Sequence, residues 1–191
     1  MHWTTTRFRV DLSRLRVMGI VNVTPDSFSD GGQHADASSA LRHAEQLLRE
    51  GADLLDIGGE STRPGSPPVP LAEELRRVLP VVREALRLGV PISVDTYKPE
   101  VMAAVLELGA DIINDVWGLR RASQTGGPGA REVVAAHPRC GVCVMHMHRD
   151  PRSMQVAPMQ GDAVPQVLAF FERAVHQLEA LGLGRDRLVL D

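Results

Sequence analysis

Apolar residues come in short runs, and each run ends on a polar residue. The runs cover residues 17–23, 53–57, 91–95, 111–116, 141–147 and 187–191. Most are too continuous for strands with one wet face. They suit a parallel sheet covered on both sides. Between them the spacing changes to that of a helix. Residues 37–49 place Ala40, Leu41, Ala44, Leu47 and Leu48 on one side. Asp36 or Ser38 is the expected cap, and Gly51 sits just past the end. A second helix is predicted over 71–88, closed by Gly89, with a kink or break at Pro80. Residues 99–108 begin on proline and stop before Gly109. Helices over 130–136 and 164–181 complete the series. A strand over 8–12 precedes the first unit and is expected outside the sheet, as a plug or hairpin.

Strand and helix therefore alternate from one end of the chain to the other. That order means right-handed parallel crossovers, in a doubly wound sheet or a barrel. The 191 residues suit one domain over 1–191, although a full eight-stranded α/β barrel typically takes roughly 250. One stretch reads as loose, residues 120–129 with Gly126-Gly127-Pro128-Gly129, and is expected to be a surface insertion.

Composition removes several classes. With 43% hydrophobic and 24% charged residues and a net charge of −3, the chain is neither disordered nor fibrous. The mild acidity offers no basic stripe for nucleic acid, although a small phosphorylated substrate stays compatible. No apolar run reaches the roughly 20 residues that span a bilayer, and no secretory signal is visible at the start. The two cysteines, Cys140 and Cys143, have a Cys-x-x-Cys spacing. Strand alternation points residues three apart to opposite faces, so a buried, reduced Cys143 is preferred to a metal or redox pair. Reduced thiols fit a cytoplasmic location.

The polar run ends carry the functional argument. Asn22, Asp56, Asp95, Asn114 and Asp191 all fall at the carboxyl end of an apolar run. In a barrel such residues converge on the face where the βα loops build a site. Any one of them alone is a turn or cap residue. Five together suggest an enzyme holding a polar heterocycle or an anion. Two of the following loops are rich in Gly, Ser, Thr and Asp. The loop after Asn22 reads as a mobile lid, in which hydroxyls and amides reach phosphate, Asp26 or Asp30 meets a divalent cation, and Phe28 closes over a substrate. The loop after Asp56 carries Arg63, which can clamp an anion. The plain alternative for both is a solvated surface connection.

These two segments carry a resemblance. Asn22-Val23-Thr24-Pro25-Asp26-Ser27-Phe28-Ser29-Asp30-Gly31-Gly32 and Asp56-Ile57-Gly58-Gly59-Glu60-Ser61-Thr62-Arg63-Pro64-Gly65 resemble the first and second loops of the dihydropteroate synthase family. Ser93-Val94-Asp95-Thr96, Ile112-Ile113-Asn114-Asp115-Val116 and Val144-Met145-His146-Met147 are similar to its later strand ends. The likeness runs from about residue 10 to residue 191. It implies a TIM (β/α)8 barrel of folate synthesis, here truncated to about six βα units. The implied reaction joins p-aminobenzoate to 6-hydroxymethyl-7,8-dihydropterin diphosphate, with Mg²⁺, releasing diphosphate. It implies that Asp95, Asn114 and Asp191 hydrogen-bond the pterin and that Met145 packs on it. Asn22 is implied at the diphosphate and its metal, and Thr62, Arg63 and Pro64 in the loop near p-aminobenzoate. No nucleophile is implied, since positioning and electrostatics suffice. A cytoplasmic homodimer is implied for the complete protein.

The chain also departs from the pattern. His148-Arg149-Asp150-Pro151 follows Met147 where the family has Gln-Gly. His146 and His148 share a strand face, for which a structural role is preferred to a metal pair. After Asp191 the family continues with two further strands and their helices. An unclosed barrel exposes two edges, so the 191 residues alone are expected to be an inactive, poorly stable fragment. Two other functions compete. A methyltetrahydrofolate methyltransferase shares the pterin carboxylates but has no use for the diphosphate loops. A non-catalytic pterin-binding relative could dispense with Asn22 and the Thr-Arg-Pro loop, both of which stand here.

Overall fold

The structure, a computed structural model, describes residues 1–23, 32–61, 66–149 and 158–191, with only the backbone of 32–36. Two short strands, β1 (His2–Thr4) and β2 (Arg9–Asp11), pair antiparallel. Six parallel strands follow in one sheet, in chain order: β3 (Met18–Asn22), β4 (Leu54–Gly58), β5 (Ile92–Asp95), β6 (Ile112–Asp115), β7 (Gly141–Val144) and β8 (Leu188–Leu190). Between them run α1 (Gly32–Arg49), α2 (Leu71–Ala85), α3 (Pro99–Leu108), α4 (Ala130–Ala136) and α5 (Ala163–Ala180). These six strands and five helices make up about six βα units of a TIM-type barrel, with β3 and β8 as the outer strands of the sheet.

The continuous apolar runs are explained by two separate cores. One set of alternate positions, among them Val21, Leu55, Ile57, Val94, Ile113, Val142 and Val144, faces outward and packs on the helices. Each fully buried side chain of this kind contributes about 1.5–3 kcal/mol. Intervening positions face inward, where Leu54, Ile112 and Cys143 meet Trp3, with Val10, Leu12, Met18 and Val189 packed around them. The β1–β2 hairpin thus closes the amino-terminal end of the strands. Trp3 Nε1 donates to the carbonyl of Arg187 at 2.9 Å, and Thr6 Oγ1 to that of Ala110 at 2.7 Å. The sequence places this plug at 8–12 but misses its partner β1, which is only three residues long.

Three further expectations need correction. Helix α1 begins at Gly32, so Asp36 and Ser38 lie within it and neither is its cap. No Gly or Pro between 33 and 49 stops the helix from starting early. Helix α2 runs through Pro80 unbroken and ends at Ala85, with a 3₁₀ turn over Leu86–Leu88. Pro80 itself is exposed, while Val78, Val81, Val82 and Ala85 are fully buried, and that stripe outweighs one lost backbone bond. Strand β7 stops at Val144, and 145–147 turn over the carboxyl end. The expected glycine stops hold: Gly109 ends α3 in the left-handed region at φ 103°.

Candidate active site

Register brings the polar strand ends together. One row of paired residues crosses the sheet: Asn22, Gly58, Asp95, Asn114, Cys143 and Val189. Asn22 and Asp95 are the last residues of β3 and β5, and Asn114 is the next-to-last of β6. Met145 follows β7. Asp191 follows β8, where its carbonyl accepts from the His146 N–H at 2.7 Å. Five of the predicted site residues therefore share one mouth. Thr62, Arg63 and Pro64 lie outside the described residues, as do residues 24–31 with Asp26, Phe28 and Asp30.

Two acids line the interior just below this rim. Asp56 sits mid-strand in β4, facing inward beside Asn114, whose Nδ2 donates to its Oδ2 at 3.0 Å. Asp56 Oδ1 and Asp95 Oδ1 are buried and accept no hydrogen bond among the described residues. Burial raises the pKa of Asp56, partly offset by the Ser93 hydroxyl and the Asn114 amide. Ser93 is close enough for that influence but makes no hydrogen bond of ordinary geometry. Burial first, then the charges of Asp56 and Asp115, holds Asp95 well above the usual carboxylate range. The third acid, Asp115, is pushed up to about 6 by burial, although the N–H groups of Trp117 and Leu119 donate to it. The two oxygens without a donor among the described residues, on Asp56 and Asp95, are complementary to a ligand with N–H groups.

The rim above is aromatic and cationic. The Trp117 and Tyr97 rings lie 6.0 Å apart, and the Arg121 guanidinium lies over both, at 4.9 and 5.6 Å. Tyr97 Oη donates to Glu60 at 2.8 Å. Lys98 Nζ donates to both Glu60 and Glu74. Burial pulls the Lys98 pKa down, but the two glutamates more than reverse this and it ends raised.

Asn22 is exposed at the end of β3 and offers one hard oxygen ligand. No group of three or more His, Cys, Asp or Glu among the described residues is arranged to hold a metal. One protein oxygen matches Mg²⁺ as it binds with phosphates, because that ion keeps most of its other ligands from substrate and water. His146 packs its ring against Phe170, with centroids 5.0 Å apart, and His148 Nε2 accepts from Arg149. Cys143 faces the inner cluster, while Cys140 turns outward toward the Val134 carbonyl, so the two thiols lie on opposite faces and are free. Residues 120–129 lie at the surface, tied down by Glu100, which accepts from Ser123 Oγ and the Gln124 and Thr125 N–H groups.

The sequence analysis counts Asp56 among the converging strand-end residues but gives it no ligand role, and it gives none to Asp115 or Lys98. For Asp56 the signal was available, since Leu54, Asp56 and Gly58 share one strand face with a polar residue at its centre. For Lys98 it was not, because its partners lie 38 and 24 residues away.

The fold is an open α/β barrel with polar residues gathered at the carboxyl ends of its strands, the face where enzymes of this class build their sites. Residues 18–191 match the family model described as pterin binding enzyme, and the chain belongs to that family. It is 46% identical over 191 residues to dihydropteroate synthase of Neisseria meningitidis serogroup B, covering 99% of this chain and 65% of that relative. Dihydropteroate synthase of Burkholderia cenocepacia, solved in complex with 7,8-dihydropteroate, superposes with a TM-score of 0.85 at 46% identity, over 100% of this chain and 62% of that one. The enzyme of Xanthomonas albilineans with 4-aminobenzoic acid gives 0.84 at 48% identity, over 96% and 63%. The chain thus spans less than two thirds of the length of these relatives. No described helix is long and apolar enough to cross a membrane.

Proposed function

We propose that the full-length protein is a dihydropteroate synthase. The observation that carries this reading is the pair of buried oxygens, Asp56 Oδ1 and Asp95 Oδ1, which find no donor among the described residues and lie beside the Asn114 amide. A pterin edge presents ring N–H, amino and carbonyl groups in one plane. Carboxylates accept from it, and an Asn both donates and accepts. Asp95, Asn114 and Asp191 hold the ring, Asp56 adds an acceptor, and Met145 packs on its face. In the reaction the C–O bond to diphosphate breaks, with its electron pair leaving on the diphosphate. The arylamine lone pair then forms the new C–N bond, and the amine loses a proton. No side chain serves as nucleophile.

Asn22 would hold Mg²⁺ through its oxygen, and the ion would supply charge neutralisation for the departing diphosphate. This reading assigns the exclusion of water to the loops over 24–32 and 61–65, and the p-aminobenzoate end to Thr62, Arg63 and Pro64. The same reading gives a single domain over 1–191, a cytoplasmic location and a homodimer, with neither nucleic acid nor membrane as partner. It also gives low turnover for residues 1–191 on their own. Both edge strands leave Ile20 and Leu190 exposed at 59% and 46%. A cooperative melt and full turnover of that polypeptide would overturn the last point.

Binding and turnover test the main reading. The full-length protein is expected to bind dihydropterin diphosphate and, with p-aminobenzoate, to release diphosphate and form dihydropteroate. Asn22→Ala is expected to slow turnover strongly. Tight binding of methyltetrahydrofolate with none of the diphosphate ester would assign the mouth to methyl transfer, and pterin binding with unaltered turnover in Asn22→Ala would remove Asn22 from the machinery.

A further inference from the structure

The chain carries 21 Lys and Arg residues, of which only Lys98 is lysine. That lysine is almost completely buried, its side chain 3% exposed, between Glu60 at 10% and Glu74 at 1%. Every other cation of the chain is a planar, forked guanidinium. An ammonium is a compact charge that can be shared by two carboxylates from different elements.

The three partners belong to three parts of the mouth. Lys98 precedes α3, Glu74 lies in the first turn of α2, and Glu60 follows β4. Thr96 Oγ1 donates to Glu74 at 2.6 Å and Tyr97 Oη to Glu60 at 2.8 Å, so each glutamate is held by a second donor from the same β5–α3 loop. Glu60 Oε2 also accepts the Val69 N–H at 3.1 Å, and Ser66 Oγ donates to Ser61 Oγ at 3.0 Å. Both ends of the segment 61–69 are therefore drawn onto Glu60 and its neighbour. The stem is tight as well. A Cβ on Gly59 would come within 2.6 Å of Val78 Cγ2, and the Gly59 carbonyl accepts from Arg77 at 3.0 Å.

We propose that Lys98 is a positioning residue that clasps Glu60 to Glu74 and thereby fixes where the second mouth loop leaves and rejoins the barrel, setting the arylamine end of the site. The clasp stands on the geometry alone, and its link to the arylamine rests on the function proposed above. Lys98 touches no reacting atom. It acts on the loop through Glu60, while Asp95 and Asn114 are placed by β5 and β6.

The test uses the full-length protein with Lys98→Met, Lys98→Arg and the charge-balanced double variant Lys98→Met with Glu74→Gln. Hydrogen exchange is followed in peptides covering 59–70 and, as reference, β4 and α3. The dissociation constant for dihydropterin diphosphate and the KM for p-aminobenzoate are measured separately. The double variant is expected to recover most of the melting temperature lost in Lys98→Met, because the cluster returns to its wild-type net charge and only Glu60 stays ionised. It should still exchange about tenfold faster over 59–70 and show about a tenfold higher KM for p-aminobenzoate, with pterin affinity within about twofold, the size of change expected when one charged hydrogen bond is lost. Lys98→Arg should not restore either value. Wild-type exchange over 59–70 in the double variant would overturn the clasp, and so would equal losses for both substrates. Accelerated exchange in a protein whose wild type ignores p-aminobenzoate would support the clasp and overturn the functional reading instead.

Discussion

The two ends of the same six strands treat a buried carboxylate in opposite ways. At the floor, Asp111 is completely buried, and both its oxygens are taken. It accepts from the Arg7 backbone N–H at 2.9 Å, from Arg7 Nη2 at 2.6 Å and from the Ile92 N–H at 2.9 Å. At the mouth, Asp56 and Asp95 each keep a buried oxygen with no donor among the described residues. The floor spends its polar groups on holding the hairpin plug. The mouth holds polar groups at a cost of up to about 1–3 kcal/mol each, which a ligand with matching donors recovers. Stability and recognition are thus separated along the strand axis by a few residues, and substitutions at the two ends should have different signatures.

The largest effect is expected at the floor. Asp111→Ala strands the Arg7 guanidinium and the Ile92 N–H, and loses the link between hairpin and sheet. A destabilisation of about 3–5 kcal/mol should appear in urea unfolding. Pterin affinity of the folded fraction should not change. A weakened affinity without lost stability would erase the distinction between floor and mouth.

The next effect is a pH dependence at the mouth. Burial holds the Asp115 pKa at about 6, above its ordinary 3.8. A raised acid binds its proton more tightly in the folded state. Its contribution is therefore full below about pH 4 and is lost as pH rises through about 6, a loss of about 3 kcal/mol for two units. Asp56 and Asp95 are raised too, so they act in the same direction. Unfolding midpoints measured across this range should fall with pH in the wild type and fall less steeply in Asp115→Asn, where Asp56 and Asp95 still contribute. Equal slopes in the two proteins would mean that Asp115 ionises as freely folded as unfolded.

How much of this was legible beforehand depends on the distance over which each feature is encoded. The βα alternation is local, and the apolar runs located all six parallel strands to within a few residues. The gathering of Asn22, Asp95 and Asn114 followed from their place at run ends, because parallel register sets equivalent ends at one level. The inward tilt of Asp56 was encoded by period two but hidden by the apolar residues on the outer face. The Lys98 clasp and the Arg7–Asp111 tie were not legible, since each joins parts of the chain at least 24 residues apart. Pro80 was misread because its local penalty was weighed without the buried stripe around it.

Asp95→Asn sharpens the comparison from the other side. The substitution keeps the shape and removes an acid that burial and two neighbouring carboxyls already disfavour in its charged form. Stability at neutral pH should hold or rise. Affinity for the dihydropterin should fall about tenfold to a hundredfold, the worth of one hydrogen bond to a charged acceptor. Calorimetry and a urea melt on the same sample separate the two numbers. Loss of stability on the scale of Asp111→Ala would make Asp95 a structural residue.

The smallest effect returns to the floor, where position alone should not confer importance. Arg185 lies two residues before the buried Arg187 in the same 3₁₀ turn. Arg187 donates to the carbonyls of Cys140, Val134 and His137. Arg185 meets only Glu179 among the described residues, at 2.6 Å, with its side chain 75% exposed. Water competes for both charges and salt screens them. Arg185→Gln should leave the unfolding midpoint unmoved at any salt concentration, and pterin binding unchanged. A clear, salt-sensitive loss of stability would show that the floor is held by its surface charges as well as by the buried Asp111 and Arg187, and the contrast with the mouth would have to be redrawn around ion pairs.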